Sequence, residues 1–272
     1  MNALVTTGGR PRRQENKTPM RSTHVIVILV AALLLSLPAA AQGTFSQIAL
    51  NANWQTIFIL VNLSTTDAAT PQLSFFQNDG TPLSIQVVGG NNAAVQGFAI
   101  PAGGSIVVTL QAGAVGEAWA KLDSTVPVRG QGVYTHTQPG VADSSLVVPL
   151  DTGYQAPTCI IPFPNLPAPS STILPFDTTA PYTTAIAVTN ISSASKTFDL
   201  VYSDQNNVAI FTDHITLASH AHVSFLAPDR SATLANVKGV LRVNAGPLDV
   251  SVLAFLYNLT SGASGTIFPS FR

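Results

Sequence analysis

Short apolar runs broken by turn residues follow one another from Phe45 to the end of the chain. Ile57-Phe-Ile-Leu-Val61 is almost wholly apolar and predicts a central strand buried on both faces. Leu73-Ser-Phe-Phe-Gln77 comes next, then Asn78-Asp79-Gly80, residues that readily take the positive φ of a tight hairpin. Gly103-Gly104 predicts a turn ahead of a strand over 105–110, and further strands are predicted over 117–123, 128–136 and 248–258. Pro127 and Pro247 introduce the last two. Beyond residue 41, no window of a dozen residues has a helical period with caps. The expected fold class is all-β, built of antiparallel sandwiches of immunoglobulin or fibronectin type. The Cys…Trp…Cys spacing of antibody domains is missing.

The pattern is stated twice. Trp54-Gln-Thr-Ile-Phe-Ile-Leu-Val-Asn62-Leu-Ser64 recurs 128 positions later as Tyr182-Thr-Thr-Ala-Ile-Ala-Val-Thr-Asn190-Ile-Ser192. Ile100-Pro-Ala-Gly-Gly-Ser-Ile-Val-Val-Thr109 recurs 117 positions later as Leu217-Ala-Ser-His-Ala-His-Val-Ser-Phe-Leu226. A period this long predicts two tandem β-sandwich domains, over 42–151 and 173–272, rather than a solenoid. The intervening 152–172 carries Pro157, Pro162, Pro164, Pro167 and Pro169 and is expected to be a semi-rigid linker.

The first 41 residues read as an export signal. Arg10, Arg12, Arg13, Lys17 and Arg21 precede an apolar stretch over 25–37, and Ala39-Ala40-Ala41 supplies a small-residue cleavage site. A start at Met20 would give a signal of more ordinary length. The stretch is shorter than the roughly 20 apolar residues of a spanning helix, so no membrane span is expected after cleavage. The expected location is outside the cytoplasm: extracellular, cell-surface or periplasmic.

Five of the 12 basic residues and one of the 13 acidic ones lie in that segment, leaving a mature net charge near −5. A mildly acidic surface provides no footprint for nucleic acid. Cys159 is the only cysteine, so no intrachain disulfide forms and each domain relies on its packed core.

The series Trp-x-Thr…Asn-x-Ser (54–64), Phe-x-x-Asp-Gly-x-Pro-Leu (76–83), Pro-x-Gly-Gly-Ser (101–105), Val-Pro-Leu-Asp (148–151) and Pro-Phe-Asp-x-Thr (175–179), closing on Ser251-Val-Leu-Ala-Phe-Leu-Tyr-Asn258, resembles an uncharacterised tandem repeat of secreted bacterial proteins. The resemblance covers nearly all of the expected mature chain. It implies an exported all-β protein and brings no catalytic residues with it.

Candidate chemistry is sparse. On a strand, His220 and His222 would face one side and grip one metal, with His214 as a further ligand. The competing reading, which we prefer, is an exposed polar turn, because the matching positions are Gly103 and Ser105. Trp54, Trp119 and Tyr182 would form a sugar-stacking platform if exposed, whereas the shared repeat position of Trp54 and Tyr182 favours core anchors. Glycosidase chemistry needs two opposed carboxylates, and Glu117 is the one glutamate beyond residue 41. Gly-x-Ser-x-Gly and His-Glu-x-x-His are absent. Asn62-Leu-Ser64, Asn190-Ile-Ser192 and Asn258-Leu-Thr260 match a glycan-acceptor pattern, but we read each Asn as ending a strand. The leading expectation is a non-catalytic structural, adhesive or binding module without a cofactor, whose partner is an extracellular protein or polysaccharide. A carbohydrate-binding module and a metal-dependent enzyme centred on His220 and His222 are the alternatives.

Overall fold

The computed structural model describes residues 41–111, 116–137, 144–150, 171–245, 249–261, 264–267 and 270–271. Apart from Ala41, Ser171 and Thr172, the expected signal and linker lie outside the described residues, as does Cys159. Among the described residues, no helix is long and apolar enough to cross a membrane.

Among the described residues, the N-terminal half holds ten strands: β1 (Ala41–Ala49), β2 (Trp54–Asn62), β3 (Gln72–Phe76), β4 (Ile85–Gln86), β5 (Asn92–Ala93), β6 (Val95–Gly97), β7 (Ser105–Thr109), β8 (Glu117–Ser124), β9 (Val128–His136) and β10 (Ser144–Pro149). Apart from the small β4–β5 ribbon, they form two antiparallel sheets, ordered β1-β8-β3-β6 and β10-β9-β2-β7. The C-terminal half holds β11 (Thr172–Asp177), β12 (Tyr182–Asn190), β13 (Lys196–Asp204), β14 (Ala209–Leu217), β15 (His222–Leu226), β16 (Lys238–Val243), β17 (Val250–Asn258), β18 (Ser264–Ile267) and β19 (Ser270–Phe271). A single helical turn, α1 (Ala227–Arg230), follows β15. The sheets here run β14-β13-β16-β11-β19 and β15-β12-β17-β18. Strand for strand, this is the order of the first half with β19 added beyond β11. The β2–β7 and β3–β8 neighbours correspond to the B–E and C–F pairs of an immunoglobulin sandwich. The first and seventh long strands, however, lie on sheets opposite to the immunoglobulin arrangement.

Register agrees between the halves. β2 pairs with β9 from Trp54↔His136 to Asn62↔Val128, and β12 pairs with β17 from Tyr182↔Asn258 to Asn190↔Val250. Side chains alternate across a strand, so Phe58 and Leu60 enter a core with Phe45, Leu73, Phe75 and Leu122. Ile186 and Val188 enter a second core with Phe198, Leu200, Leu241 and Val252.

Two polar pins recur. The hydroxyl of Thr56 donates to the Ala49 carbonyl at 2.9 Å and accepts from its N–H at 3.2 Å; Thr184 makes the same two bonds with Asp177, both at 2.9 Å. At the far end of each strand, the buried Asn62 amide donates to the carbonyls of Asp67, Ile100 and Pro101, and Asn190 to those of Ala194, Leu217 and Ala218. Asn62, Asn190 and Asn258 each end a strand.

One expectation is corrected. Residues 57–61 are central in their sheet but are not buried on both faces: Ile57 and Ile59 are half-buried on the outer side and Val61 is 37% exposed. The matching stretch of β12 is buried on both sides because the N-terminal half covers it. β1 lies in that junction, with Phe45 and Ile48 facing its own core. On its other side, Ser46 bonds the Ser251 hydroxyl and accepts from Thr189. A third apolar cluster closes the seam, made of Tyr134, Leu146 and Val148 from one half with Ala187, Leu253 and Phe255 from the other.

Candidate functional site

Where the two halves meet, a cavity of about 390 Å³ remains beside the third cluster. That lies within the usual range for small-molecule sites, about 300–1,000 Å³. Three local features of the sequence shape it.

The first is a turn. The Asn51 side chain accepts from the Asn53 N–H at 2.9 Å and the Trp54 N–H at 3.1 Å, so the chain reverses between β1 and β2. Trp54 emerges on the cavity wall, its ring held against His136, the residue opposite it in the β2–β9 ladder, at 4.6 Å between centroids. The second feature is a bulge. The β1–β8 register shifts between Phe45 and Ile48, leaving Ser46 and Gln47 out of the ladder. Bulges re-aim side chains; here Ser46 is sent into the seam and Gln47 into the cavity lining. The Gln47 carbonyl accepts from the Tyr134 hydroxyl, while its buried side-chain oxygen has no hydrogen-bond partner.

The third is that an acidic residue from each half lines the cavity. Glu117 opens β8 and accepts from the Ser224 hydroxyl on β15. Asp229, in α1, lines the same cavity, with Phe225 and Tyr257 completing its aromatic wall. Burial, and after it the charge of Glu117, pushes the Tyr257 hydroxyl above its ordinary value. Among the described residues, no Lys or Arg lines the cavity. Glu117 and Asp229 give it a negative sign, which disfavours an anionic ligand.

The sequence candidates are distributed differently from the expectation. Trp119 is fully buried and donates from Nε1 to the His220 carbonyl at 2.8 Å. Phe76 stacks on Trp119 at 4.4 Å and on His220 at 5.4 Å. Trp119 therefore presents no face to a ligand. Tyr182 is 38% exposed at the start of β12, so the core role expected for its repeat position is not met; its side chain does not line the cavity. Of the three aromatic candidates, Trp54 alone lines the cavity.

The exposed turn expected at His220 and His222 is also corrected, because the N-terminal half covers it. His222 is 3% exposed; its N–H donates to the Asn78 carbonyl, and its Nδ1 lies 2.9 Å from the Asn78 side-chain oxygen. His220 has φ 58°, and Gly103 at the matching position has φ 64°, so the left-handed turn is common to both halves. Burial, and after it the Lys121 charge, lowers the His220 pKa. A nearby ammonium also opposes a metal cation there. His214 is elsewhere, on β14, with Nδ1 2.7 Å from the Asp199 carboxylate. Among the described residues, no three His, Cys, Asp or Glu side chains gather as a metal site.

Sequence reasoning missed Gln47 and Asp229. Glu117 was noted but had no visible partner, since the chain brings α1 to it only through the fold. Comparison with family models, curated proteins and solved structures gives no match.

Proposed function

We propose that this chain is an exported, non-catalytic tandem β-sandwich that acts outside the cytoplasm as a binding module, with a carbohydrate as ligand in the cleft between the halves. One observation carries this reading: the aromatic side chain of Trp54 lines the same cavity as the acidic residues Glu117 and Asp229. A sugar offers both complements, an apolar C–H face for an aromatic ring and hydroxyl donors for acceptors. The resemblance to secreted bacterial repeats supports the export half of the proposal.

Glycan-array screening followed by titration of Trp fluorescence tests it. Saturable binding is expected, weakened at least ~10-fold by Trp54→Ala and similarly by Asp229→Ala, which removes an acceptor from the lining. Binding that survives both substitutions would move the site elsewhere. Glycan hydrolysis lost in Glu117→Gln would replace the non-catalytic reading with an enzymatic one.

A further inference from the structure

The cavity between the halves combines an aromatic lining with an acidic mouth. Tyr134 and Phe255 line it from buried positions, and Trp54, Phe225 and Tyr257 from half-buried ones. Glu117 and Asp229 also line it but are exposed, which puts them where the cavity meets solvent. The Ser224 hydroxyl donates to the Glu117 carboxylate and ties it to the opposite half. After burial, the charge of Glu117 is what raises the Tyr257 pKa, so a carboxylate stands close to an aromatic ring of the lining.

The chain does not neutralise this mouth. Lys121, Lys196, Arg230 and Lys238 are bound to Asp123, Asp249, Asp213 and Asp177. Among the described residues, no Lys, Arg or His is bound to Glu117 or Asp229. One ring of the lining already takes a cation: the Arg230 guanidinium lies 5.1 Å from the centroid of Phe225 while its Nε bonds Asp213 at 2.6 Å. Aromatic faces and uncompensated carboxylates both attract positive charge. A divalent metal is a poor match, because calcium takes about 6–8 oxygen ligands and no three His, Cys, Asp or Glu gather among the described residues. An ammonium group needs only an acceptor or two and an aromatic face within about 6 Å.

We propose that the sugar taken by this cavity is an amino sugar, its ammonium group drawn to Glu117 and Asp229 and its C–H face laid on Trp54. The inference rests on the carbohydrate reading above and narrows it. An amine carried directly on a pyranose ring puts the positive charge and the apolar face within one sugar unit, which serves both parts of the lining at once. A lysine side chain brings the charge without a ring face for Trp54.

Calorimetric titration of the purified full chain with a β-1,4-linked glucosamine trimer and with its N-acetylated counterpart tests the proposal. At about pH 6, below the range in which amino groups titrate, the first is charged and the second neutral. The amine trimer is expected to bind at least ~10-fold more tightly, the size of one close charge or cation–π contact. Glu117→Gln combined with Asp229→Asn keeps both side-chain shapes and removes both charges, and the preference is expected to fall to about even. Asp67→Asn combined with Asp204→Asn removes two charges away from the cavity and leaves the preference intact. Equal or tighter binding of the N-acetylated trimer would overturn the inference. So would a preference that survives Glu117→Gln with Asp229→Asn, trilysine binding as tightly as the amine trimer, or no binding of either trimer. The carbohydrate reading is judged separately, by the glycan array and Trp54→Ala.

Discussion

His222 illustrates how one residue takes its properties from a neighbour far along the chain. Burial lowers its pKa from the ordinary 6.5 to about 4. Between those values the unfolded state binds more protons than the folded one, so stability is full above about pH 6.5 and falls as pH drops toward 4. The slope is about 1.4 kcal/mol per pH unit, or roughly 3 kcal/mol in all. Thermal unfolding at pH 7 and pH 5 is expected to show a clear loss at the lower pH. His222→Ser, which installs the residue found at the matching position 105, lowers stability at pH 7 but flattens the pH dependence. An unchanged slope in the variant would assign the titration to another group.

The threonine pins act at the scale of elements, since each fixes the end of one strand to the start of the next. Thr56→Val removes the hydroxyl and leaves the Ala49 backbone groups without that partner, which is expected to cost about 1–3 kcal/mol in urea unfolding. Thr184→Val removes the same pair of bonds to Asp177, and a similar loss is expected. Much at this scale was legible in advance. The predicted strand over 128–136 matches β9 residue for residue, because a proline, a period of two and a turn bound it. The turn at Gly103 was equally legible from its glycines. The β1 bulge was not, because Ser-Gln in a strand carries no mark of a register shift, and with it the role of Gln47 stayed hidden. Periodicity gives the face a side chain occupies but not what covers that face. The both-sided burial expected at Ile59 therefore appears at Ala187 instead. His222 was misplaced for the same reason, its covering group lying more than a hundred positions away.

For the molecule as a whole, the seam joins halves that each own a core. Expressed separately, each is expected to give a β-type circular-dichroism spectrum. Mixing the two is expected to yield a one-to-one complex on size-exclusion chromatography, because Tyr134, Leu146 and Val148 otherwise lose their apolar partners. Gly80 probes the same seam. With φ 88°, it packs so closely that an added Cβ would lie 2.3 Å from the Ser219 carbonyl oxygen. Gly80→Ala is expected to weaken the complex between halves more than it lowers the stability of the N-terminal half alone.

The placement of β1 also bears on how the chain reaches this state. Ser46 meets Ser251 across 205 positions, so the strand made first is completed by one of the last. Contacts this distant in sequence slow folding. A chain synthesised amino end first must hold β1 half-dressed until nearly all the rest has followed, a window in which a stray strand from a neighbour competes for the vacancy.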